Sequence, residues 1–145
     1  MSKTKDTNAF IKSVAKQTFN DAWNYLEKKK LTKSDKITLL NLVHTSAYLW
    51  QQNTEYNDTH QSISLWQISR AYAHIRDGNF ALLYAEQNII HCKTKKPDGF
   101  YIAYAYESAA RAYWILKEKK KKQFFILSSL RGPIYIHRKF NNTVF

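Results

Sequence analysis

Apolar residues recur in steps of three and four over most of this chain. Between Asn8 and Lys30 they fall at Ile11, Val14, Ala15, Phe19, Ala22, Tyr25 and Leu26, a spacing that places them on one side of a helix. Lys28, Lys29 and Lys30 close the segment, cations that suit the negative end of a helix dipole. The next stretch reads LTKSDKITLL. Thr32 and Asp35, three apart, can each accept a backbone N–H that a helix start leaves unpaired. The second apolar stripe is Ile37, Leu40, Val43, His44, Ala47 and Trp50. The break between these two helices is short, so they are expected to form an antiparallel pair.

NTEYNDTH (53–60) is polar and without period, and reads as a loop with Asn57, Asp58 or Thr59 as the next cap. A third helix carries Leu65, Ile68, Tyr72 and Ile75 on one face and Ile63, Trp66, Arg70 and Ala73 beside it. Apolar groups on two faces predict a helix contacted from both sides. Gly78 is expected to supply a left-handed or flexible turn, with Asn79 capping the fourth helix. That helix runs from about Phe80 to Lys93, with Leu82, Ala85, Ile89 and Cys92 in line. KTKKPDG (93–99) predicts a second loop, stopped by Pro97 and Gly99. The fifth helix, Phe100 to about Lys119, carries Ile102, Ala105, Tyr106, Ala109, Tyr113 and Leu116. Its alanines at 103, 105, 109, 110 and 112 would let a neighbouring helix approach closely. The pattern predicts an all-α fold: a right-handed stack of about five antiparallel helices over residues 1–122.

The last 23 residues break this period. QFFILSSLRGPIYIHRKFNNTVF (123–145) holds no acidic residue, all eleven lying at or before Glu118. Its runs FFIL and IYI flank an Arg-Gly-Pro turn, which predicts a non-helical, basic and aromatic tail, irregular or hairpin-like. The lysine run before it implies an adenine-rich gene segment. Two origins fit the tail: a frameshift at that segment, or an appendage that docks on the fifth helix or on a partner.

Composition narrows the class. With 145 residues, 44% hydrophobic, the chain is the size of one ordinary domain and can bury a core. Three glycines and two prolines are few for the turns of an all-β protein. A single cysteine, Cys92, excludes an internal disulfide and a cysteine-rich zinc site. The first residues lack the continuous apolar core of a secretory signal, and no run reaches the roughly 18–20 apolar residues of a membrane helix. A soluble, cytoplasmic protein without membrane insertion is expected. The formal charge of +12 attracts polyanions: nucleic acid, anionic lipid or an acidic protein. The excess is mainly lysine in runs, for which a solvated surface is the favoured reading.

Around the third helix the pattern sharpens. Leu65, Ile68, Ser69 and Tyr72, then Ala81 and Ala85 on the next helix, follow the tetratricopeptide order of large, apolar-small and aromatic positions. Tyr106, Ala109, Ala110 and Tyr113 repeat it. Tyr72 and Tyr113 are 41 residues apart, against a standard period of about 34. The excess matches the loop KTKKPDG in length. HTSAYLW (44–50), WQISRAY (66–72), ALLYA (81–85) and AYESAARAY (105–113) resemble a group of short bacterial tetratricopeptide-like proteins of uncharacterised function. The resemblance covers about residues 44–116. It implies an all-helical, cytoplasmic bacterial protein and brings no activity, cofactor or partner with it. The acidic residue expected in that group before the tryptophan of the third helix is Leu65 here.

Two groups of residues are candidates for binding. His44, Arg70, Glu107 and Arg111 are expected to converge between the second, third and fifth helices. Such a group can lock the helices together, the favoured reading, or bind a carboxylate or phosphate. Glu107 and Arg111 stand one helical turn apart in the favourable order. Tyr48, Trp50, Tyr84, Tyr101 and Tyr104, with Trp114, lie partly off the apolar stripes. Exposed aromatics among lysines suit a peptide groove or base stacking on single-stranded nucleic acid, or they cap the ends of the stack. His91 and Cys92 are adjacent and diverge by about 100° on a helix, and no histidine pair has i, i+4 spacing, so no metal is expected. The chain has no Gly-rich phosphate loop, nucleophile elbow or HExxH. The expectation is a non-catalytic protein-interaction module without cofactor, binding an acidic protein or peptide. The alternatives are a nucleic-acid-binding protein and, further off, a small-anion binder or enzyme using the His/Arg/Glu group. Short stacks expose apolar end faces, which makes a homodimer an expectation too.

Overall fold

The computed structural model describes residues 4–116 and 126–129. Five α-helices follow one another: α1 (Lys5–Leu26), α2 (Lys33–Gln51), α3 (Asp58–His74), α4 (Gly78–Lys95) and α5 (Phe100–Leu116). No strand occurs among the described residues. The fold is all-α, as the 3.6-residue period predicts.

The caps explain most of the boundaries. Thr32 and Asp35 form a reciprocal capping box: the Asp35 N–H donates to Thr32 Oγ1 and the Thr32 N–H to Asp35 Oδ2, each at 3.0 Å. Asn57 caps α3 by accepting from the N–H groups of Thr59 and His60. The loop before it is pinned to the start of α1. Asn53 is buried and its Nδ2 donates to the Asn8 carbonyl at 3.0 Å, while the Thr54 N–H donates to Asn8 Oδ1 at 2.9 Å.

α3 is the centre of the molecule. It packs against α2, α4 and α5, and Gln67 Nε2 donates to the Phe19 carbonyl of α1 at 2.9 Å. Phe19, Ile63, Trp66 and Tyr104 bring α1, α3 and α5 into one cluster. On the other side, Leu39 and Val43 of α2 meet Ile68 and Ala71 of α3. Ala85, Ile89 and Cys92 of α4 close on Ala105 and Ala109 of α5. The helix apolar on two faces is contacted on both.

Small residues mark the close crossings. Ser69 is 1% exposed and its Oγ donates to the Ala81 carbonyl at 2.7 Å. Ala81, Ala85, Ala105 and Ala109 are all fully buried. A larger side chain at any of them would push two backbones apart.

Several boundaries and roles differ from the expectation. α1 ends at Leu26, so the three lysines lie beyond it. α4 runs on to Lys95, and the second loop is only 96–99. The buried side of α2 runs through Leu39, Val43, Ser46 and Trp50, while Ile37 is 63% exposed. Ser46 is polar by type but donates its hydroxyl to the Ala15 carbonyl at 2.9 Å, which satisfies it inside the core. In the short FFIL run, Ile126 and Leu127 belong to a helical turn at 126–129. The rest of the tail hairpin, and the boundary expected at 122, lie outside the described residues.

The turn between α3 and α4 departs furthest from the expectation. Gly78 is not the left-handed residue; it is the first residue of α4, and Asp77, not Asn79, is the cap. The Asp77 side chain accepts from the Phe80 N–H at 3.1 Å. Arg76 takes the left-handed conformation, at φ 69°. Its N–H donates to the Ala73 carbonyl and the Asp77 N–H to the Tyr72 carbonyl, at 3.0 and 2.9 Å. These are the two bonds of a Schellman motif, with arginine where glycine is usual. Gly78 serves close approach instead: a Cβ there would lie 2.8 Å from Leu116 Cγ and 3.0 Å from Ile115 Cγ2.

Candidate functional site

The packing of α1, α3 and α5 leaves an open cleft of about 350 Å³. Leu26 lines it from α1, Arg70, Ala73 and His74 from α3, Arg76 from the turn, and Arg111, Trp114 and Ile115 from α5. Among the described residues the lining holds three arginines and a histidine, and no acid.

Each cation is placed by a local rule. Arg70 and His74 are four apart on α3 and so share a face. The guanidinium of Arg70 lies over two indole rings, 5.2 Å from the centroid of Trp23 and 5.6 Å from that of Trp66. Such stacking orients the group without using its N–H donors, and the occluded Nη1 makes no hydrogen bond. Burial, and next the charge of Arg111, lower its pKa to about 10, while Glu107 and Glu27 pull it back up. Arg70 therefore remains charged at neutral pH. His74 Nε2 lies 3.0 Å from the Lys28 carbonyl, which ties the end of α3 to the segment after α1. Arg111 forms an ion pair with Glu107 one turn before it.

Three of the four expected polar residues are thus neighbours: Arg70, Glu107 and Arg111. His44 is not among them. Arg70 and Tyr72, two apart, point to opposite sides of α3, and His44 belongs with Tyr72. Its Nε2 lies 3.0 Å from the Tyr72 hydroxyl, and its ring meets the rings of Tyr72 and Tyr84 edge-on. Tyr72 and Tyr84 stack at 5.6 Å, only 8° from parallel. This is an aromatic seam between helices on the far side of α3.

The expected aromatic surface is not a surface. Trp50 and Tyr104 are core residues, 1% and 5% exposed. Trp50 stacks on His60 at 4.1 Å, and Tyr104 packs on Trp66 at 5.8 Å. Tyr84 and Tyr101 are half-buried against their clusters. Tyr48 is exposed, as is Trp114 at the rim of the cleft. Trp50 faces inward because it lies on the buried side of α2 with Leu39, Val43 and Ser46, and Tyr104 because α5 is covered by both α3 and α4, which widens its buried arc.

His74 and Arg76 were not among the residues the sequence singled out. The spacing of Arg70 and His74 was a signal for the first. Arg76 joins them only through its left-handed turn, for which an arginine is no sequence signal.

Burial lowers the pKa of His44, and that of His60 despite an opposing pull from Glu55. Below the ordinary histidine value near 6.5, the unfolded chain then binds more protons than the folded one. Stability should therefore fall as pH drops below about 6.5, and stop falling on this account once both folded-state values are passed. Urea unfolding between about pH 7.5 and 5 measures the slope. A His44→Gln/His60→Gln protein should show a flatter profile. A wild-type stability that rises on acidification would contradict the assignment. Asp35 and Glu55 belong to a separate, more acid window. The Thr32 N–H, then Lys28, holds Asp35 below the usual carboxylate range, and Lys12 does the same for Glu55.

No helix among the described residues is long and apolar enough to cross a membrane. Compared with known proteins, the chain matches no family model, no curated protein and no solved structure.

Proposed function

We propose that this chain is a non-catalytic, cytoplasmic protein-interaction module, a tetratricopeptide-like stack that takes an acidic segment of a partner into the cleft of α1, α3 and α5. The observation that supports this reading is the lining itself: Arg70, Arg76, Arg111 and His74 around one opening, with no acid among the described lining residues. Exposed Trp114 at the rim offers an aromatic contact of the kind enriched at interfaces. The nucleic-acid alternative loses support, because Trp50 and Tyr104, two of its stacking residues, are buried.

Titration of the full chain with polyglutamate, and with a neutral peptide of equal length, tests the reading by tryptophan fluorescence. Polyglutamate should bind and the neutral peptide should not. An Arg70→Gln/Arg76→Gln protein should bind polyglutamate at least about tenfold more weakly, since charge-assisted hydrogen bonds are lost. Equal binding by the variant would sink the assignment to this cleft. Tight binding of single-stranded RNA with none of polyglutamate would favour the alternative.

A further inference from the structure

We infer that the cleft seats a phosphate-class oxyanion, gripped by the guanidinium groups of Arg70 and Arg76 and flanked by Arg111 and His74. The inference deepens the docking reading and rests on it for the identity of the cleft as a binding site.

The charges are unevenly matched. Arg111 has Glu107 as its ion-pair partner. Arg70 and Arg76 form no ion pair among the described residues, although both line the same opening. A carboxylate would answer one of them. A phosphoryl group carries about −1.5 to −2 at neutral pH and offers three acceptor oxygens, enough for two guanidinium forks. Arginine is the side chain whose planar fork fits that geometry.

Two further features are unfavourable in the free protein and are explained by such a ligand. Arg70 is held on Trp23 and Trp66 with an unsatisfied, occluded Nη1. Arg70 lines the cleft, and its stacking leaves its N–H donors to a ligand there. Arg76 occupies the left-handed position of the Schellman motif, where a side chain is strained and glycine is not. The strained turn places its side chain at the opening. Outliers of this kind gather at ligand sites. The cleft, at about 350 Å³, leaves room for the residue that bears the phosphoryl group beside Trp114.

Thermal unfolding of the full chain in sodium phosphate, against sodium chloride at matched ionic strength, tests this. Phosphate stabilises most proteins by exclusion from their surface, so the increment over chloride is compared between wild type and variants. At about ten times the dissociation constant the wild-type increment should exceed that of Arg70→Gln or Arg76→Gly by about 4–6 °C. Arg76→Gly is the decisive variant. It relieves the left-handed strain, so in chloride it should melt at or above the wild-type temperature while losing the phosphate increment. Equal increments in wild type and both variants would overturn the inference.

Source is read with two peptides, an acidic phosphoserine peptide and its unphosphorylated twin. A preference of about tenfold for the phosphoserine form assigns the oxyanion to a partner. A phosphate increment without that preference assigns it to free phosphate. Polyglutamate binding with no phosphate increment overturns this inference and leaves the docking reading standing. A phosphate increment that the variants lose, without polyglutamate binding, keeps the cleft as an oxyanion site and removes only the acidic segment as its occupant.

Discussion

Replacing Trp66 by alanine is expected to lower the unfolding free energy by about 3–5 kcal/mol, the range for emptying a large aromatic site in a core. Trp66 is 1% exposed. Its ring meets Trp23 and Tyr104, each at 5.8 Å between centroids, and so joins α1, α3 and α5 at one point. Those neighbours belong to helices that cannot all shift inward, so the cavity should collapse poorly. The truncation also removes one of the two rings over Arg70. With a total stability of about 5–15 kcal/mol for such a domain, the loss is a large fraction of the whole. Guanidinium unfolding monitored by circular dichroism measures it. Tyr48→Ala, at a residue 62% exposed, is the control and should change stability by under about 0.5 kcal/mol. A Trp66→Ala loss below about 1 kcal/mol would contradict the packing described.

Glu107→Gln should cost about 2–3 kcal/mol. Breaking a buried ion pair costs about 3–5 kcal/mol, and an exposed one under about 1. The pair here is intermediate, with side-chain exposures of 27% for Arg111 and 29% for Glu107, which places the loss below the buried range. Its larger part comes from what remains: Arg111 and the half-buried Arg70 repel each other, and the acid that offsets them is gone. Urea unfolding at low salt is the measurement. The same protein should gain more from phosphate than wild type does, because an added anion replaces the missing charge. A Glu107→Gln protein as stable as wild type would mean that these charges are screened by solvent.

The number and order of the helices, and two of their caps, were legible in the chain alone. Five helices follow from apolar residues at steps of three and four. The Thr32–Asp35 box and the Asn57 cap follow from side chains that can reach only their own backbone neighbourhood. Small residues at Ser69, Ala81, Ala105 and Ala109 were legible as crossings, since little else explains small side chains within an apolar stripe. These features are local or one-dimensional.

The remainder depended on which faces meet. Tyr104 lies off its apolar stripe and reads as exposed when its helix is taken alone, yet it is core, because α5 is covered by both α3 and α4; Trp50 is core because it sits on the buried side of α2 itself. Ser46 reads as polar and is buried, because the Ala15 carbonyl stands opposite its hydroxyl. His44 lies on a side of α2 that meets α3, but it meets Tyr72 rather than Arg70, and two positions on α3 separate its two sides. Gly78 looked like a turn residue and is a contact residue, while the left-handed turn fell to Arg76. Local propensity favours glycine there, so an arginine could not be placed in the cleft from sequence. The cleft was decided by tertiary structure alone: its cations come from two helices and a turn, at positions 70 to 111, and only the packing of α5 against α3 brings them to one opening.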